Sequence, residues 1–282
     1  MSANLSATAG RARDSRTFST PTLVIAAALV ALTALCTYGY TQMYSDTVSD
    51  AAYATWYWFG TGLQVLLAVI LVGVALRIGV RESVGRQWLL VGLGVVMYAI
   101  GDIVWTVLDL HLGIDPYPSI ADIFYTLEYA FFLAGLAFAI YSYRALVTLR
   151  GPLIGGAIVS VAAAGVLYAV LLSPFILPAG VEELGFWGFI VSTLYPVGDV
   201  FFMIAPAVTL ALVIRQLGAG RLAWPWWIVV VGAFVFAIAD SLYSYVDWSG
   251  VGSNPFIDMG WIVANLFFVI AALVARDVYH TR

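Results

Sequence analysis

Every basic side chain in this sequence is an arginine, and the twelve arginines follow an alternation. Eight apolar runs lie at about 20–42, 53–76, 87–110, 119–143, 152–174, 186–214, 223–246 and 256–278. Each is long enough to cross the ~30 Å hydrocarbon core of a bilayer as a helix. Gly, Pro, Asp and Arg mark the breaks between them, as turns leaving a bilayer require. Arg11, Arg13 and Arg16 precede the first run, and Arg77, Arg81 and Arg86 follow the second. Arg144 and Arg150 follow the fourth, Arg215 and Arg221 the sixth, and Arg276 and Arg282 close the eighth. The alternate breaks hold no arginine and carry Asp46, Asp50, Asp115, Glu182 and Glu183 instead. Arginine-bearing loops are retained in the cytoplasm. The expected fold is therefore an all-α membrane protein of eight transmembrane helices, multi-pass in the cell membrane, with both termini cytoplasmic. Residues 1–19, polar and small, are expected to form a disordered cytoplasmic tail.

Composition agrees. Hydrophobic residues make up 63% of the chain and charged residues 10%, with a mean hydropathy of +0.98. A soluble domain has about a quarter of its residues charged, so the bilayer must act as solvent here. The absence of lysine excludes a retinal-type Schiff base, which needs a lysine amine. Cys36 alone can form neither an intrachain disulfide nor a thiolate metal cluster. His111 and His280 are too few for a multi-histidine haem or zinc site, and the net charge of -4 argues against a nucleic-acid partner. The first apolar run reads as a helix rather than a leader. Leu35 precedes Cys36 where lipidation would want a small residue, and no cleavage site leads into a soluble domain.

The sequence also repeats. A shift of 138 positions carries Arg77 onto Arg215, Trp88 onto Trp226, Gly94 onto Gly232, Asp102 onto Asp240 and Asp109 onto Asp247. With two residues dropped in the turn, Asp122 falls on Asp258, Tyr125 on Trp261 and Phe131 on Phe267. This predicts two parallel four-helix repeats, over 20–145 and 152–278, related by a pseudo-two-fold along the membrane normal.

The chemistry concentrates at 97–132 and its copy at 235–268. Asp102, Trp105 and Asp109 share one helix face, as do Asp240, Tyr243 and Asp247. Asp102 lies about 10 Å deeper than Asp109. Asp122 and Asp258 sit in a first helical turn after Pro118-Ser119 and Pro255, where a capping role is the alternative to a ligand role. Glu128 falls near the bilayer midplane and its counterpart is Ala264, so it is not shared scaffold. Asp199 also falls near the middle, beside Pro196 and Gly198, which should loosen the sixth helix and free carbonyls there. An intramembrane acid marks a functional site by default. With no arginine at that depth, these acids are protonated, hold a cation or amine, or line a wet cavity. The candidate ligand-binding set is Asp102, Trp105, Asp122, Tyr125, Glu128, Asp199, Asp240, Tyr243 and Asp258. A metal would draw on Asp102, Asp122, Asp199 and Asp240, and a cationic small molecule on the aromatic faces as well. No cofactor is named by any motif.

Pro118-Ser119-Ile120-Ala121-Asp122-Ile123-Phe124-Tyr125 with Tyr129 resembles the P-S-x-A-D-x-x-Y signature of a multi-helix membrane sensor region. That region stands N-terminal to diguanylate cyclase, phosphodiesterase or histidine kinase domains in prokaryotes. Gly101-Asp102 with Trp105, and Tyr195-Pro196 with Asp199, resemble its companion motifs. The resemblance covers about 50–275 and implies ligand sensing. Because the chain closes at Arg282 without an output domain, signalling is expected to pass through a cytoplasmic or membrane partner.

Three functions follow from this reading. The first is a sensor or ligand-binding module with an outward-facing acidic and aromatic pocket. The second is a small ion- or proton-coupled transporter, and the third an auxiliary structural subunit of a membrane complex. Catalysis is not expected. Pro196-Val197-Gly198-Asp199 departs from the G-x-G-D pattern of intramembrane aspartyl proteases, and no Tyr-Asp pair lies upstream. Neither a phosphate loop nor a Ser–His motif occurs.

Overall fold

The computed structural model describes residues 18–45, 47–218, 220–251 and 254–279. Most of the expected tail at 1–19 lies outside these, as do Asp46, His280 and Arg282. The described residues are helical, without a strand. In chain order they form α1 (Thr20–Met43), α2 (Asp50–Ile78), α3 (Ser83–Thr106), α4 (Ala121–Tyr143), α5 (Arg150–Leu167), α6 (Leu177–Gly198), α7 (Ala205–Gln216), α8 (Trp224–Ser249) and α9 (Pro255–Tyr279). Wider π-type turns extend α3 over Val107–His111 and link α5 to α6 over Tyr168–Ile176 and α6 to α7 over Asp199–Ile204. The long apolar helices are those of a multi-pass membrane protein.

Seven helical segments, not eight, are long and apolar enough to cross a membrane among the described residues. The difference lies in Arg150–Gln216, one helical trace of 67 residues. Straight, it would reach about 100 Å, but it folds back on itself. Gly180 (φ 58°) and Gly185 (φ 68°) adopt backbone angles closed to other L-residues and break the trace. As a result α5 lies against α7: a Cβ on Gly156 would strike the Thr209 side chain. The expected runs at 152–174 and 186–214 are the two arms of this hairpin. Neither glycine has helical backbone angles, so a short non-helical bend separates the two arms within the trace.

In a bilayer, helices associate by close packing and interhelical hydrogen bonds rather than by excluding water. Here α3 packs on α2 and α4, α8 on α7 and α9, α4 on α7, and α9 on α2 and α1. Ser19, which caps α1, binds Asp277 through both its N–H (2.8 Å) and its hydroxyl (2.9 Å). Arg276 donates to Thr22 (2.7 Å) beside it. The two ends of the described chain are thereby joined.

Four contacts run between residues one repeat apart. Trp88 stacks on Trp226, with ring centroids 5.0 Å apart and planes within 14°. Tyr98 meets Phe236 edge-on at 5.6 Å, Phe132 meets Phe268 at 4.7 Å, and the Tyr143 and Tyr279 hydroxyls are 3.0 Å apart. The described arginines lie at the Trp88 end of the bundle, and Asp109, Asp115, Asp122, Asp247 and Asp258 lie at the other.

Candidate ligand-binding cavity

At the acid-bearing end the helices part around a cavity of about 590 Å³. Its walls come from α1–α4, α8 and α9, with Tyr195 of α6 and residues 115–117 of the loop before α4. Eight carboxyl side chains line it, and no Arg, Lys or His among the described residues does.

The helix ends set the mouth. The Ser119 N–H donates to Asp122 Oδ2 (2.6 Å), one half of the capping-box exchange the sequence suggests, while Ser119 Oγ accepts from the Ala121 N–H (3.1 Å) rather than from that of Asp122. Ile120 precedes the first helical residue. Asp122 also accepts from the Tyr195 hydroxyl. At α9 the cap is Asn254, which accepts from the Phe256 and Ile257 N–H groups, whereas Asp258 accepts from the Tyr44 hydroxyl. Asp122 and Asp258 thus engage different partners at their helix starts. Tyr117, in the loop before α4, shares a 2.7 Å hydrogen bond with Ser192 of α6. Burial pushes its hydroxyl up to about 12, so it is neutral at physiological pH.

Deeper in, the two halves carry one arrangement. Asp102 of α3 accepts from the Tyr125 hydroxyl of α4 (3.0 Å), and Asp240 of α8 accepts from the Trp261 indole N–H of α9. Gly101 makes the first of these possible, since a Cβ there would sit 2.6 Å from the Tyr125 ring. Gly101→Ala should displace Tyr125 from Asp102 and destabilise the fold by about 1–3 kcal/mol, the usual cost of overpacking. Thermal unfolding of the detergent-purified protein reads this, and an unchanged midpoint would show that the ring gives way freely.

Tyr129 ties the cavity to the turn between α6 and α7. Its hydroxyl lies 2.9 Å from Asp199 Oδ1 and 3.0 Å from Asp240 Oδ2. A phenol has one proton to donate, so it serves one carboxyl at a time. Asp199 begins the π-type turn after Pro196 and is fully buried behind Tyr129, outside the cavity wall. Glu128 does line the cavity. Its side chain is 0% exposed, and neither carboxyl oxygen has a hydrogen-bond partner.

Eight of the nine candidate residues thus face one space: Asp102, Trp105, Asp122, Tyr125, Glu128, Asp240, Tyr243 and Asp258. Asp199 joins them only through Tyr129. The metal reading fares differently. Asp102 and Asp122 engage Tyr125 and Tyr195, Asp240 engages Trp261 and shares Tyr129 with Asp199, and no group of three or more metal-ligating side chains gathers among the described residues. Sequence reasoning passed over Tyr40, Tyr44, Tyr57 and Gln64 in the walls. Tyr57 carried a signal, lying 138 positions before Tyr195. Gln64 accepts from Asn265 (3.1 Å), the repeat mate of Tyr129. Comparison with protein-family models, curated proteins and solved structures finds no match to this chain.

Proposed function

We propose that this is a membrane sensor or ligand-binding module that takes a small organic cation into the cavity and passes the signal to a partner protein. The observation that carries this reading is the wall itself: eight carboxyl groups and many aromatic faces, with no cationic side chain among the described residues. Aromatic faces attract a desolvated cation by about 2 kcal/mol or more, and carboxylates supply the opposite charge. An organic ammonium suits this spread of acids better than a metal ion, whose ligands must converge. The P-S-x-A-D-x-x-Y resemblance supports the sensing role.

The same reading takes the chain as eight crossings of the cell membrane with both termini cytoplasmic. The cavity then opens outward, opposite the arginines. It also takes the halves as duplicates about a pseudo-two-fold. Four residue pairs that meet their own repeat mates support this, since only residues beside such an axis can touch their equivalents.

The test is thermal unfolding of the purified protein with tetramethylammonium and alkylamines, for wild type and Asp102→Asn. A cation at a hundred times its dissociation constant should stabilise wild type by about 2.7 kcal/mol, and Asp102→Asn should lose most of the shift. If no amine shifts wild type and Asp102→Asn is as stable, the structural-subunit reading takes over. A transporter remains the second reading, favoured by the π-type turn at Asp199 and its Tyr129 link to the cavity. Amine or proton flux in proteoliposomes separates it from a sensor.

A further inference from the structure

We infer that the cavity selects a linear dication of the diamine or polyamine class, one ammonium against Glu128 and the other at the mouth. This rests on the organic-cation reading above and names the ligand class within it.

The acids of the wall stand in two tiers. Asp102, Asp240 and Glu128 form the deep tier, and Asp102 and Asp240 lie within electrostatic reach of Glu128. Asp109, Asp247 and Asp258 form the outer tier. Asp102 to Asp109 and Asp240 to Asp247 are each seven residues along one helix, so the tiers are on the order of 10 Å apart. Between them the wall is aromatic, from Trp105, Tyr57 and Trp261. Such ring faces suit a methylene chain.

Glu128 is the independent sign of a ligand at the deep tier. Asp102 and Asp240 already accept hydrogen bonds from Tyr125, Trp261 and Tyr129. Glu128 accepts none, although it is fully buried in the cavity wall. Buried polar groups are almost always paired, and an ammonium carries three N–H donors. One end of a diamine would satisfy both Glu128 oxygens and reach a neighbouring carboxyl. A second ammonium about 10 Å away would lie against Asp109 and Asp247, which a monocation seated at Glu128 does not reach.

The experiment is calorimetric titration of the full chain in detergent with n-alkylamines and α,ω-diaminoalkanes, from diaminobutane to diaminodecane, and a linear triamine. Diamines should bind at least tenfold more tightly than monoamines of equal length. Affinity should peak where the ammonium spacing approaches the tier spacing. Asp109→Asn with Asp247→Asn should erase the diamine advantage while sparing monoamine binding, and Glu128→Gln should weaken both. Equal affinity for matched monoamines and diamines, or no peak along the series, overturns the dication inference and leaves the cation reading standing. Absence of binding by every amine to wild type overturns both. The chain-length series uses the unaltered protein, so its outcome does not depend on any variant folding.

Discussion

Tyr129→Phe should cost about 2–4 kcal/mol of stability, more than any other loss of a single oxygen from the cavity. Neutral interhelical hydrogen bonds in membranes average only about 0.6 kcal/mol, but this hydroxyl lies between two carboxyl groups on different helices. Hydrogen bonds to charged groups contribute about 1.5–3 kcal/mol, and a buried acceptor left unsatisfied costs its full desolvation. The two acids are not hurt equally. Asp240 keeps its bond from Trp261, whereas Asp199 is 0% exposed and its other oxygen already has no partner. Phenylalanine retains the ring packing against Phe236 and Gly198, so the measured loss belongs to the hydroxyl. Unfolding of the purified protein gives the loss, and a double-mutant cycle with Asp199→Leu assigns it. In the Asp199→Leu background the same change should cost roughly half as much. Tyr143→Phe is the control: it removes a neutral tyrosine–tyrosine contact at the arginine end and should cost about 0.5–1.5 kcal/mol. Equal losses for the two would show that Tyr129 does not bridge the acids in the folded protein.

That bridge could not be read from the sequence, and the reason is geometric. Periodicity along one helix places Asp102 with Asp109 or Asp240 with Asp247, because spacing and rise fix those relations. Tyr129, Asp199 and Asp240 lie on three helices at separations of 70 and 111 residues. Nothing local encodes which way those helices face one another. The offset of 138 that aligns Trp88 with Trp226 in the sequence falls on a pair that stacks in the fold.

The bend near Gly180 and Gly185 was legible in part. A gap between two apolar runs predicts a break, and its charges, Glu182 and Glu183, lie between the two glycines whose backbone angles are non-helical. How closely the arms then approach is set by the packing of α5 on α7, which no local signal encodes. At Ser119 the i, i+3 relation to Asp122 was legible, whereas the Tyr195–Asp122 contact from α6 was not, because it joins residues 73 apart. The four candidate metal aspartates were visible in the sequence, but not which donors they would face: Tyr125 for Asp102, Tyr195 for Asp122, and Tyr129 shared between Asp199 and Asp240.

Glu128→Met should raise the stability of the unliganded protein by about 1–4 kcal/mol and abolish its response to amines. Removing one member of a paired buried charge is destabilising, but replacing an uncompensated buried acid with an apolar chain of similar size moves the other way. Glu128 is of the second kind: no donor reaches its oxygens, and Asp240, Asp199 and Asp102 stand near enough to repel it. The second half of the chain supports this. There the equivalent position is Ala264, fully buried in the core, so the helix packs without an acid at that depth. Glu128→Gln should fall between, since it removes the charge but keeps a polar group to be satisfied. The unliganded melting point and the amine-induced shift, measured on the same preparations, give both parts of the prediction. If Glu128→Met lowers the melting point instead, the carboxyl is holding the helices together, and the deep ammonium site loses the observation on which it stands.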